Sequence, residues 1–173
     1  MRNMTFPILA ILLVGVIPLA CGAQQEGHDK SMSYFINESG DTIDYLIRTE
    51  KEWSDDLSDQ EFYVLRRQGT ERAFTGNYWD NKKTGVYVCA ACGLSLFDSK
   101  SKFKSGTGWP SFYQPLDETH VEEESDNKLG IVRAEVHCRK CGGHLGHIFN
   151  DGPQPTGLRY CLNSVSLNFQ ANQ

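Results

Sequence analysis

The sequence predicts a mainly β fold, and three observations carry that prediction. From Gly76 onward, short apolar or alternating runs are separated by clusters of Gly, Pro and Asp, a period-two pattern bounded by turn residues. Two Cys-x-x-Cys-Gly sequences mark tight turns. Helical periodicity is confined to one upstream segment, Trp53 to Arg72.

The first residues form a leader. Arg2 gives a positive start, Ile8 to Ile17 are uncharged and apolar, and Pro18-Leu19-Ala20-Cys21 follows. A run of that length fits the core of a signal peptide and is shorter than the ~20 residues a spanning helix needs. Cleavage after Ala20 would leave Cys21 as a lipid-anchored N-terminus, and cleavage after Ala23 would release a soluble protein. Either way the chain is expected to be exported, to a bacterial periplasm or cell envelope. Residues 1–23 are therefore read as leader, 24–43 as a polar tether, and 44–173 as one domain with a core of its own.

Charge excludes one class of partner. The net charge is −5 and no basic cluster stands out, whereas nucleic-acid phosphates demand a Lys/Arg-rich surface. No nucleic-acid partner is expected.

In chain order, Ser58-Asp59-Gln60-Glu61 offers a capping box. Ser58 would cap the helix, Glu61 would reach back to the cap amide, Phe62, Leu65 and the Arg66 stem would share a face, and Gly69 would end it. Strands are predicted around Val86-Tyr87-Val88, Leu94 to Phe97, Ile131 to Val136 and Ser164 to Phe169. The acidic residues Asp117-Glu118 and Glu122 to Asn127 read as a solvated loop, because like charges repel and cannot share a core.

The knuckles are Cys89-Ala90-Ala91-Cys92-Gly93 and Cys138-Arg139-Lys140-Cys141-Gly142. Two residues between thiolates let both sulfurs of a turn face one ion, and the following glycine permits a positive φ. About 45 residues separate the knuckles, so each should end a different hairpin, with one structural zinc ion joining them through Cys89, Cys92, Cys138 and Cys141. A pair of disulfides is the competing reading for an exported protein.

With those four assigned and Cys21 in the leader, Cys161 stands alone in Arg159-Tyr160-Cys161-Leu162-Asn163-Ser164. Arg159 and Asn163 lie two positions either side and so point the same way on a strand, the one adding positive potential, the other a neutral amide. His144 and His147, three apart among glycines, would meet in one pocket if they sit in a tight loop. A buried core cysteine and a pair of surface histidines are the bland readings of the same residues. Lys104 to Phe112 sets Trp109 and Phe112 around Pro110 and two glycines, an aromatic wall for a small apolar group or a loop that caps the core.

Together, Thr70 to Gly76, both knuckles, Ser105 to Phe112, Gly143 to Phe149 and Arg159 to Ser164 closely resemble the methionine-R-sulfoxide reductase B family, over about Asp44 to Phe169. The resemblance implies two antiparallel sheets with a few N-terminal helices, and zinc on the four knuckle cysteines. It also implies stereospecific reduction of methionine-R-sulfoxide, in oxidised proteins or as the free amino acid. It makes Cys161 the nucleophile, with His147, His144 and Asn163 as its catalytic partners, and Trp109, Phe149 and Arg159 around the substrate. A monomer is expected.

Many family members carry a resolving cysteine where this chain has Thr107. The sulfenic acid left on Cys161 is therefore expected to be reduced by a thioredoxin-like protein, by a small thiol, or by Cys21 if that thiol is retained and unlipidated. The competing function is a zinc-stabilised β domain that binds peptides without turning them over.

Overall fold

A computed structural model describes residues 33–126 and 133–172. The expected leader with Cys21 and the first part of the expected tether lie outside the described residues, as do Ile131, Val132 and Asn127.

Within the stretch expected as a tether, Tyr34–Ile36 (β1) pairs antiparallel with Thr42–Asp44 (β2). The apolar triplet explains the difference. Its alternation turns Phe35 inward to 5% exposure while Tyr34 and Ile36 stay in solvent, and Asn37 closes the turn by accepting from Asp41 N and pairing with Gly40 and Asp41 through its backbone.

The predicted helix is two helices. Ser58 and Glu61 form the expected capping box, but it opens a second helix, α2 (Asp59–Arg67), after a first, α1 (Glu50–Asp56), whose own box is Thr49 with Glu52. Gln68, in the left-handed conformation at φ 55, ends α2 one residue before Gly69. Trp53 of α1 is 2% exposed, with the guanidinium groups of Arg48 and Arg66 5.1 and 4.9 Å from its ring centroid.

The remaining strands form two antiparallel sheets. One has three strands in the order β11-β3-β4, from Leu167–Ala171, Gly85–Cys89 and Ser95–Asp98. The other has six, β5-β6-β10-β9-β8-β7, from Lys102–Phe103, Ser111–Phe112, Arg159–Leu162, His144–Phe149, Arg133–Cys138 and Val121–Asp126.

Three expectations change. The acidic run is an edge strand: at the rim of a sheet Glu123 and Glu124 face water, so like charges are tolerated there and discourage further strand pairing. Asp117 is 7% exposed and caps the turn Glu118–His120, accepting from Thr119 N and from Glu38 N. Ser164–Ser166 alternates like a strand but forms a 3-10 turn, because both serines are buried and Ser166 Oγ donates back to Asn163 O at 2.7 Å.

An aromatic core joins the sheets. Tyr87 and Phe97 on the small sheet pack against Phe112 and Tyr160 on the large one, with ring centroids 4.7–5.5 Å apart and no ring more than 2% exposed. Each such ring adds about 2–3 kcal/mol from burial. The same packing aims the site. Tyr160 points into the core, so Cys161, its neighbour on a pleated strand, points to the other face.

Candidate active site

Register builds the site from the sheet. Reading across the strands, Phe103 stands opposite Ser111, Ser111 opposite Cys161, Cys161 opposite His147, His147 opposite Glu135, and Glu135 opposite Glu124. Directly opposed residues share a face, with Cβ atoms roughly 5 Å apart. This row places a thiol between a hydroxyl and an imidazole. Ser111 and Glu135 are members the sequence did not disclose, because cross-strand register cannot be read from one strand at a time.

His144 reaches the same face through a bulge. His144 and His147 lie on strand β9, not in the expected loop, and residues three apart on a regular strand would face opposite ways. The β8-β9 ladder pairs His137 with His144 but Val136 with Gly146, leaving Leu145 as an extra residue that corrects the parity. The two rings meet edge to face at 5.4 Å, and His137 packs on His144 in the same way. Gly146 belongs to this arrangement as well: a Cβ there would lie 2.1 Å from the Cys161 carbonyl.

Beneath these rings lies a buried carboxylate. Glu135 Oε2 is 3.1 Å from His137 Nε2 and 3.3 Å from His144 Nδ1. Burial of His144, 1% exposed, pushes its pKa down to about 4 against the pull of Glu135, so its ring is neutral at pH 7.

Cys161 is partly exposed. Thr107 Oγ1 lies 3.9 Å from its Sγ, and Thr107, Ser105 and Ser111 form a chain of hydroxyls with two contacts of 2.8 Å. The thiol pKa is nonetheless raised. Desolvation outweighs the positive charge of Arg159 and hydrogen bonds from Thr107 and Ser111. Arg159 is itself committed elsewhere, donating to both oxygens of Asp151 at 2.8 and 3.0 Å and lying 4.2 Å over the Phe149 ring.

Asn163 and Trp109 converge on Glu71. The side chain of Asn163, 3% exposed, accepts from Glu71 N at 3.0 Å and donates to Leu145 O at 3.1 Å. It sits just past the end of β10 and fastens backbone on two sides. Trp109 Nε1 donates to Glu71 O at 3.2 Å, and the Glu71 carboxylate accepts from Ser164 N at 2.7 Å and Val165 N at 3.0 Å. Glu71 is 5% exposed and organises the loop behind the site. Nothing in its local sequence marked it apart from its place in the Thr70 to Gly76 stretch.

The knuckles converge at a separate point. Cys89 and Cys92 flank the β3-β4 turn, Cys138 and Cys141 the β8-β9 turn, and Gly93 and Gly142 take the expected positive φ, 73 and 67. The four sulfurs lie within 4.8 Å of one another, with Cys89 to Cys141 at 3.7 Å and Cys92 to Cys138 at 3.5 Å. A disulfide needs about 2.05 Å, whereas a tetrahedron with metal–sulfur bonds of about 2.3 Å sets sulfurs about 3.8 Å apart. The donor chemistry agrees. Four thiolates brought this close repel one another, so all four ionise together only around a cation. The four cysteines can hold one metal ion.

Fold and site define a single-thiol centre on a β scaffold clipped by four further thiols. The SelR domain model matches residues 57–171. Three relatives are each called peptide methionine sulfoxide reductase MsrB. That of Thiobacillus denitrificans is 57% identical over 122 residues, 70% of this chain and 92% of the relative; that of Acinetobacter baylyi is 54% identical over 128 residues, 74% and 92%; and that of Leptospira interrogans is 50% identical over 139 residues, 80% and 98%. The chain belongs to the SelR-domain family of MsrB methionine sulfoxide reductases.

Proposed function

We propose that this methionine sulfoxide reductase acts on the R epimer, in oxidised proteins and peptides, through a sulfenic acid on Cys161. The observation that carries the assignment of residues is the cross-strand row in which Cys161 stands between Ser111 and His147 with Thr107 at its sulfur.

Cys161, as the thiolate, attacks the sulfoxide sulfur. His147 protonates the sulfoxide oxygen, which then passes to Cys161 Sγ as the substrate S–O bond and the newly formed S–S bond both break, leaving an electron pair on the substrate sulfur and giving the thioether and a sulfenic acid. His144 is neutral at pH 7 and lies against His147, so it positions that ring while His147 carries the proton. Arg159 lowers the cost of the thiolate, and Asn163 holds the strand end that presents it. Trp109 and Phe149 flank the methyl and the chain of the substrate, and their handed placement favours one epimer.

Two electrons must then return. A first external thiol displaces the sulfenic oxygen as water and leaves a mixed disulfide, and a second thiol frees Cys161. Thr107 has no thiol to serve that step, so the donor is a thioredoxin-like protein, a small thiol, or Cys21. Zinc is the metal the four-cysteine set favours, and when bound it supplies folding energy rather than chemistry, because four thiolates leave no open position. The uncharged apolar run Ile8 to Ile17 supports export to the periplasm or envelope, with lipid on Cys21 in the anchored form.

The experiment is reduction of separated R and S methionine-sulfoxide peptides with dithiothreitol and then thioredoxin, by wild type and Cys161→Ser. Wild type should reduce only R, and the serine variant neither. Normal turnover by the variant would remove Cys161 from the mechanism.

A further inference from the structure

A cavity of about 580 Å³ opens beside the thiol site and shares Ser105, Gly106 and Gly108 with the loop that carries Thr107. It exceeds what one methionine side chain fills and lies in the size range of sites that take larger ligands. Five lysines line it, Lys82, Lys83, Lys100, Lys102 and Lys104, against a single carboxylate, Asp80, 3.5 Å from Lys82. Its lining therefore carries +4 (five positive, one negative) in a chain whose net charge is −5.

Like charges gathered in one concavity repel; one of them, Lys102, donates to Trp79 O at 3.2 Å. Burial lowers the pKa of that half-buried ammonium, while Asp80 raises it and Lys82 lowers it by less. An anionic ligand relieves this repulsion. Two aromatic side chains share the lining. Phe74 and Trp79, 56% and 38% exposed, meet edge to face at 5.3 Å. Phe74 is held at φ 66, a left-handed conformation that costs a bulky side chain about 1 kcal/mol or more, by its N–H donating to Gly108 O at 2.9 Å. That strain ties an exposed aromatic pair to the Thr107 loop, 3.9 Å from the nucleophile.

We propose that this groove binds an acidic stretch of the oxidised polypeptide flanking its methionine sulfoxide, and so directs the enzyme toward methionines in acidic segments. The proposal rests on the reductase reading and names its substrate class. Aspartate and glutamate side chains pair with the lysines, while apolar neighbours of the methionine pack on Phe74 and Trp79.

The test compares three peptides that share one methionine-R-sulfoxide and differ only in flanks of Glu, Gln or Lys, with dithiothreitol as reductant so that no protein donor competes for the groove. The expected acidic-to-neutral ratio of kcat/KM is roughly tenfold at low salt and falls below about twofold near 0.3 M salt. The triple variant Lys82→Gln, Lys83→Gln, Lys100→Gln should bring the ratio to about one. Lys82→Glu with Lys100→Glu should turn the preference toward the Lys-flanked peptide. Because the readout is a ratio within each variant, a general loss of activity cancels. A flat wild-type ratio with normal turnover overturns the groove and leaves the reductase standing, even if a protein reductant's rate proves salt-sensitive. A ratio that survives the triple variant also overturns it. Absence of turnover on every peptide strikes the reductase reading itself.

Discussion

Replacing Glu71 by Ala should unfold the protein more readily than its distance from the thiol suggests. Its carboxylate accepts a buried backbone N–H from Ser164 at 2.7 Å and a partly buried one from Val165 at 3.0 Å. Each donor left unpaired costs about 1–3 kcal/mol, so the pair sets a loss of roughly 2–6 kcal/mol. Access of water through the gap left by the side chain pulls the value to the lower part of that range. For a domain of this size each kcal/mol lowers Tm by about 3–5 °C, which gives a fall of roughly 6–15 °C. Glu71→Gln keeps one oxygen for Ser164 N but turns an amide NH2 toward the other donor, so it should lose about half as much. Differential scanning calorimetry of the metal-loaded proteins measures both. If Glu71→Ala melts within about 1 °C of wild type, the carboxylate is not holding the Ser164–Ser166 turn and the account of this loop is wrong. Single-turnover rates with the same variants read the second consequence: because Glu71 also carries Trp109 and Asn163 through its backbone, activity should drop at temperatures where the variant is still folded.

Other expectations follow from the same geometry. The Cys161 thiol is raised above its ordinary range and the thiolate is the attacking form, so the rate of sulfenic acid formation should climb between about pH 7 and 9, by up to tenfold per unit; a flat stopped-flow profile over that range would contradict it. Arg159→Met removes the positive charge that offsets burial and should shift the rise to still higher pH. Thr107→Cys places a thiol where an oxygen lies 3.9 Å from Cys161 Sγ, so one equivalent of sulfoxide should leave an internal disulfide instead of a persistent sulfenic acid, as intact-mass spectrometry would show. Cys138→Ser should lose the metal and cooperative melting together, and a variant that melts like wild type without metal would remove the clip from the fold.

Much of this was legible in the chain, and the limits have physical causes. Alternation located β3, β4 and β8, and the knuckle spacing located the four cysteines that can hold a metal ion, because those signals are local. The Ser58 capping box was visible for the same reason. The equivalent Thr49-Glu50-Lys51-Glu52 was equally readable and marks where the first helix begins. Ser164-Val165-Ser166 misled because alternation reports burial on one side, and two serines can be buried by hydrogen bonding as well as by a sheet. The acidic run misled in the opposite sense: repulsion forbids a core, but an edge strand has water on its flank. For the site, the sequence singled out Cys161, His147, Trp109 and Arg159 as candidates, whereas Ser111, Glu135 and Glu71 carried no such signal. Their roles come from register and from contacts 92–94 positions apart in the chain, which no window contains.

The bulge at Leu145 also bears on transplanting this chemistry. On a regular hairpin the same two imidazoles would have to be written His-x-His, since only the extra residue lets His-x-x-His present both rings to one side. A graft that copies the spacing without the bulge would aim one histidine into the protein, and a scan of β proteins for this histidine pair must allow either spacing, according to whether the partner strand runs one residue short.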